Sequence, residues 1–157
     1  MSTNTTTIPT TKGKSLWAYG TAGAVYGLGT GIINNLWILI FPYVTAYEIP
    51  KIPGLIDVIS VSIFSFLGML FAGFIYYGFT AKNMETGTLM YRIFGVVALL
   101  ISLAIPLQPS LVFPPEVLEI ISANEMAFIT FTVPMHLIVG LIAVYGLPKF
   151  VNSKVLG

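Results

Sequence analysis

The sequence predicts an all-α integral membrane protein, an up-down bundle of four transmembrane helices with both termini cytoplasmic. Three observations lead there. Charged residues make up only 8% of the chain and hydrophobic residues 56%, whereas a soluble domain carries about 25% charged residues to cover its surface. Lipid must therefore cover much of this surface, in keeping with a mean hydropathy of +0.91. The apolar residues gather in four segments, each near the ~20 helical residues that a hydrocarbon core about 30 Å thick requires. The basic residues fall almost entirely on alternate connectors.

Residues 1–15 are polar and Thr-rich, MSTNTTTIPTTKGKS, with no apolar core ahead of a cleavage site, and read as a disordered cytoplasmic tail. The four-helix domain follows over 16–148, and residues 149–157 form a short cytoplasmic tail. The first span is expected at Leu16–Tyr43, the second at Leu55–Phe79, the third at Met90–Leu107 and the fourth at Met126–Leu147. Between them lie helix breakers: Pro42, Pro50, Pro53 and Gly54, then Gly87, then Pro106, Pro109, Pro114 and Pro115. Long helical spans on short links exclude a β-barrel and favour antiparallel neighbours.

Orientation follows from the basic residues beside the spans. Lys12, Lys14, Lys82, Arg92, Lys149 and Lys154 share one side, against Lys51 on the other. Of the acidic residues, Glu48, Asp57, Glu116, Glu119 and Glu125 take the opposite side and Glu85 alone the basic one. The positive-inside rule then puts both ends in the cytoplasm of a multi-pass cell-membrane protein. Trp17, Tyr19, Tyr43, Tyr47, Tyr76, Tyr77, Tyr91 and Tyr145 fall near the expected interfaces, as an aromatic belt would.

Span one carries Gly23, Gly27 and Gly31 at i, i+4 and i+8, two overlapping small-residue motifs that leave one helix face almost bare backbone. Such a face lets another helix approach closely, within one chain in preference to dimerisation. Gly68 with Ala72 repeats the pattern in span two.

Polar residues at mid-membrane carry the functional question. Counting about 1.5 Å per residue places Asn34, Asn35, Ser65, Ser102 and His136 in one layer on all four spans. Lipid offers their donors and acceptors nothing, so at least one asparagine and His136 should face the bundle interior. One reading is a structural hydrogen-bond layer that fixes helix docking, with His136 at its centre. The other is a pocket in which His136 holds a ligand or handles a proton. Pro134, two residues before His136, removes the backbone donor due to the Thr130 carbonyl and should kink the helix there.

Catalysis finds little support. With no cysteine and one histidine, thiolate chemistry, a zinc or copper site and bis-histidine haem are all disfavoured, and no cofactor is expected. There is no G-x-S-x-G elbow, and Asp57 lies too near the surface to complete a triad with His136. The outer carboxylates lack the spacing of a hard-cation site. Nothing in the charge distribution points to nucleic acid.

The Asn34-Asn35-Leu36-Trp37 step, the Ser60–Gly68 stretch, the Tyr91-Arg92 opening with Ser102 and Pro106, and Met135-His136-Leu137 resemble a family of small four-span membrane proteins known as domain of unknown function 6069. The likeness covers residues 17–148. It implies the four-helix arrangement and singles out Asn34, Asn35, Ser102 and His136 as a set, but supplies no activity. The chain is more weakly similar to DoxX-type four-helix proteins, which would imply association with membrane redox enzymes. The leading expectation is thus a non-enzymatic structural or accessory subunit, working in the bilayer as a homo-oligomer or beside other membrane subunits. The alternative is a binding protein or carrier for a small apolar molecule, a quinone or lipid, around His136.

Overall fold

The computed structural model describes residues 15–49, 52 and 56–153. Among them every regular element is helical: α1 (Leu16–Val44), α2 (Val58–Thr80), α3 (Met84–Leu107), a 3₁₀ turn at Pro109–Leu111, α4 (Pro115–Ala123), α5 (Glu125–Leu141), a π turn at Ile142–Gly146 and α6 (Leu147–Asn152). Helices α1, α2 and α3 are each long and apolar enough to cross a membrane, and so is the continuous run Glu125–Asn152 formed by α5, the π turn and α6. This is the architecture of a multi-pass helical membrane protein. The tail expected over residues 1–15 lies outside the described residues apart from Ser15, as do Lys12, Lys14, Lys51 and Lys154 of the charge count.

Helix α1 pairs with α2 along its length because its glycines leave the backbone uncovered. A Cβ added to Gly23 would lie 2.6 Å from the Met69 carbonyl oxygen, and one on Gly27 would lie 2.8 Å from the Phe66 Cα. At Gly31 the nearest atom recedes to 3.6 Å. The two helices diverge toward this end, and the next turn of α1 fills the gap with carboxamides. From the α2 side, Gly73 meets the Tyr19 carbonyl, where a Cβ would stand 2.5 Å away. Gly68 differs from the expectation: nothing lies within 4 Å of where its Cβ would be, so it packs no helix. Roughly one and a half turns separate Gly68 from Gly73, which is enough to point them to different faces.

The α2–α3 link is shorter than the sequence suggests. Only residues 81–83 separate the helices, and Asn83 caps α3 by accepting from the Thr86 N–H at 2.9 Å. Gly87, expected as a breaker, sits inside α3 instead. It is where α3 touches the Phe79 carbonyl and Thr80 backbone of α2, a contact no side chain would permit. The third span therefore begins six residues before Met90. The α3–α5 connector also holds structure. Pro115 opens α4 at a position that needs no backbone donor, Glu116 stands in its first turn, and Ile121 packs with Ile52 and Phe128.

Two cores result. At the end bearing the α2–α3 turn, Tyr19, Ala22, Met69, Tyr76, Tyr91, Leu147 and Val151 are buried together. Three residues of the expected aromatic belt, Tyr19, Tyr76 and Tyr91, are thus interior. Their hydroxyls reach polar partners instead of headgroups: Thr80 Oγ1 donates to the Tyr19 hydroxyl at 2.9 Å, and the Tyr76 hydroxyl donates to Asn152 Oδ1 at 3.1 Å. Trp17 and Tyr43 remain well exposed. At the connector end, the smaller core of Ile52, Ile121 and Phe128 closes over the bundle with Ile56, Phe113 and Val117.

The π turn has a local cause. The Leu147 N–H bonds the Ile142 carbonyl, one residue further back than in an α-helix. In that register the next carbonyl, Ala143, would need the N–H of residue 148, which is proline. The Tyr91 hydroxyl supplies the missing donor at 3.1 Å and ties α3 to the widened turn. The polar atom of a buried tyrosine and the orphan carbonyl thus satisfy each other.

Candidate functional site: a crevice at the bundle centre

From the Gly87 contact α2 and α3 spread apart, and the space between them is not filled. A crevice with a volume of about 670 Å³ lies between α2, α3 and α5, with Asn34 of α1 on its back wall. Its walls are nearly all apolar: Met69, Phe71, Ala72 and Ile75 from α2, Phe94, Ala98, Leu99 and Ile105 from α3, Phe131, Met135, Val139 and Gly140 from α5. Tyr91 and Val144 close it toward the turn end, while Val112, Phe113 and Ile56 close it toward the connector end. Phe64, Phe71 and Ile75 on α2 and Phe94 on α3 are wall residues that are also exposed. They flank a mouth that opens sideways between those two helices, onto the surface that faces hydrocarbon in a bilayer.

Four of the five expected polar residues, Asn34, Ser65, Ser102 and His136, reach this wall, joined by Thr132. Asn35 does not. They form no single network. Asn34 Nδ2 donates to Ser65 Oγ at 3.1 Å and Asn35 Nδ2 to Ser62 Oγ at 2.7 Å, so the two asparagines clamp α1 to α2 where the glycine face gives out. Ser102 donates to the carbonyl of Leu99 at 2.8 Å, and Thr132 to that of Phe128 at 2.7 Å, each within its own helix. His136 Nδ1 lies 2.9 Å from the Thr132 carbonyl one turn back. The expected bonds from His136 to an asparagine and to Ser102 are absent because every one of these side chains has a nearer partner, a carbonyl of its own helix or a serine across the α1–α2 seam.

The clamp leaves acceptors over. Asn34 Oδ1 and Asn35 Oδ1 are buried without a hydrogen-bond partner. Asn34 is only 2% exposed, so its free oxygen cannot turn to water. At His136 the geometry sets the tautomer. A carbonyl only accepts, so Nδ1 carries a proton, and in the tautomer this selects Nε2 presents a lone pair.

Two further features lie beside the crevice. The Trp37 indole donates to the Phe131 carbonyl at 3.0 Å, pinning α1 to α5 one turn before Pro134. Sequence reasoning missed this bond, although a tryptophan two residues past an asparagine pair at mid-span is an amphipathic anchor in need of an acceptor. It also missed Gly95 and Gly140. These let Val144 and Leu99 lie against the opposite helix, so that α3 and α5 close the far side of the crevice. Among the described residues no three His, Cys, Asp or Glu side chains come together. Glu48, Glu116, Glu119 and Glu125 are exposed, while Asp57 caps α2.

No family model, curated protein or solved structure matches the chain.

Proposed function

We propose that this protein is a non-enzymatic binding protein for a small apolar amphiphile, taken from the bilayer through the mouth between α2 and α3 and held in the central crevice. The observation that carries the reading is the crevice itself. Its volume of about 670 Å³ falls within the usual range for small-molecule sites, about 300–1,000 Å³, and a largely apolar wall with a few polar groups is what such sites have. The chain is oriented with both termini in the cytoplasm, a reading supported by the six basic residues on that side against one on the other.

An accessory-subunit role is the competing reading, and one measurement separates the two. Mass analysis of the protein gently extracted from its native membrane should reveal a lipid-like molecule bound in near-stoichiometric amount. Release of that molecule by Gly68→Phe would tie it to the crevice, because the new side chain enters open space on the wall. Partner subunits with no small molecule would instead favour the accessory role. Reporter fusions after Gly13, Glu85 and Lys154 should report the cytoplasm, and those after Lys51 and Glu116 the opposite side.

A further inference from the structure

The chemistry of the wall narrows the occupant. Among the polar side-chain atoms that line the crevice, Ser102 and Thr132 donate to carbonyls of their own helices, and Ser65 Oγ already accepts from Asn34. Two atoms make no hydrogen bond at all: Asn34 Oδ1, which is buried, and His136 Nε2. Both are acceptors, the first because the carboxamide nitrogen is engaged with Ser65, the second because the Thr132 carbonyl fixes the ring proton on Nδ1. A buried acceptor without a donor keeps the full cost of its desolvation until a donor arrives. A ligand whose polar end offers only carbonyl or ether oxygens would leave both Asn34 Oδ1 and His136 Nε2 without a donor. A hydroxyl would satisfy one of them.

We infer that the crevice selects amphiphiles with a hydroxyl head, long-chain or isoprenoid alcohols and hydroquinones, over the corresponding ethers, ketones and quinones, with Asn34 and His136 as the accepting groups. The inference rests on the binding reading above and adds to it the polarity of the head. The apolar tail lies along the α2 and α3 walls toward the mouth, where Phe71, Ile75 and Phe94 meet the surface. The head lies at the back wall, deep in the bundle.

The test uses the full-length protein in phosphatidylcholine nanodiscs, whose lipid has no hydroxyl donor, with radiolabelled geranylgeraniol as the probe and its methyl ether as competitor. The ether should bind about fivefold more weakly, the scale of one net hydrogen bond. One of Asn34→Leu and His136→Phe, whichever removes the acceptor that the single hydroxyl proton uses, and the double variant in either case, should cut that preference to about twofold or less while leaving binding of the ether itself little changed, since only the polar contribution is removed. Asn35→Leu is the control: Asn35 Oδ1 is equally unpaired but lies off the crevice, so the preference should persist. Equal affinity for alcohol and ether, or the same loss in all three variants, would overturn the hydroxyl assignment and leave the crevice as an unselective apolar site. Failure of both probes to bind, with Gly68→Phe behaving as the parent, would overturn the binding reading itself.

Discussion

The two faces of α2 show opposite uses of small residues. On one face Gly73, with Gly23 and Gly27 across the seam, brings backbones into contact, and the pairing is sealed by Asn34–Ser65 and Asn35–Ser62. On the other face Gly68 and Ala72 also present almost no side chain, yet α3 stands away and a crevice remains. A small residue permits close approach but does not cause it. What closes the α1–α2 seam is a run of glycines in register over several turns; what holds α2 and α3 apart is contact at one end only. There Gly87 abuts Phe79, and beyond it the bulk of Phe94 and Tyr91 lies against Phe79. Away from that contact the crevice separates the helices, and at the far end Ile56, just before α2, packs against the core that holds Ile121 of α4.

The heaviest loss of stability should come on the tight side. Gly27→Leu would drive a side chain into the Phe66 backbone, and overpacking against backbone should cost at the upper end of the usual ~1–3 kcal/mol. Val25→Leu, at an exposed position on the same helix, should leave thermal stability in detergent nearly unchanged. Similar losses at both positions would mean that the seam is far looser than its glycine contacts imply. The open side predicts the reverse for the same kind of change. A Cβ at Gly68 would meet no atom within 4 Å, so the stability of Gly68→Leu should stay within about 1 kcal/mol of the parent, or rise as leucine replaces a mid-helix glycine. Bound amphiphile should fall. A large loss of stability at Gly68 would show that α3 packs there.

Much of the tight side is legible in the sequence, because a glycine repeat at i, i+4, i+8 carries one geometric meaning. The spans are legible too, since hydropathy over ~20 residues leaves few alternatives in a bilayer. Gly87 is misread as a breaker because a lone glycine serves equally to end a helix or to admit a neighbour, and only the position of α2 decides. Pro114 and Pro115 are misread in the same way, as signs of plain loop, although proline is well suited to the first turn of a helix. The polar residues of the site can be found by depth, but not their pairing. Depth fixes height along the bundle; rotation about each helix axis decides which of Asn34 and Asn35 meets the crevice, and that is set by packing of all four spans. The crevice itself leaves no mark in the sequence, as it arises from the angle between α2 and α3.

A smaller effect concerns the polar residues. A double-mutant cycle of Asn34→Leu with Ser65→Ala should show coupling near the ~0.6 kcal/mol average for hydrogen bonds between membrane helices. The cycle of Asn34→Leu with His136→Leu should show none above error in the unliganded protein, because the histidine bonds only to its own helix. Coupling in the second cycle and not in the first would mean that the layer is a shared network after all.

The weakest effect lies at the connector end, where α2 begins. Asp57 caps the helix, accepting from the Ser60 backbone N–H at 2.8 Å and from the Ser60 hydroxyl at 2.7 Å. These bonds, the backbone one foremost, favour the carboxylate and hold the Asp57 carboxyl below its ordinary range. A group whose pKa is depressed on folding stabilises the fold in full above its unfolded value, near ~3.9, and that contribution is lost as pH falls through the lower folded value. The substitution Asp57→Asn would keep an accepting oxygen in the cap but remove the titrating group. The difference in melting temperature between the parent and Asp57→Asn should therefore be flat from neutral pH down to about pH 5 and shift against the parent only in more acidic solution. Because the carboxylate is solvent-exposed, that shift should be small and should shrink further in high salt. If the difference instead changes between pH 6 and 8, where an Asp57 carboxyl of lowered pKa is fully ionised, the cap is not what titrates and its assignment to Asp57 fails.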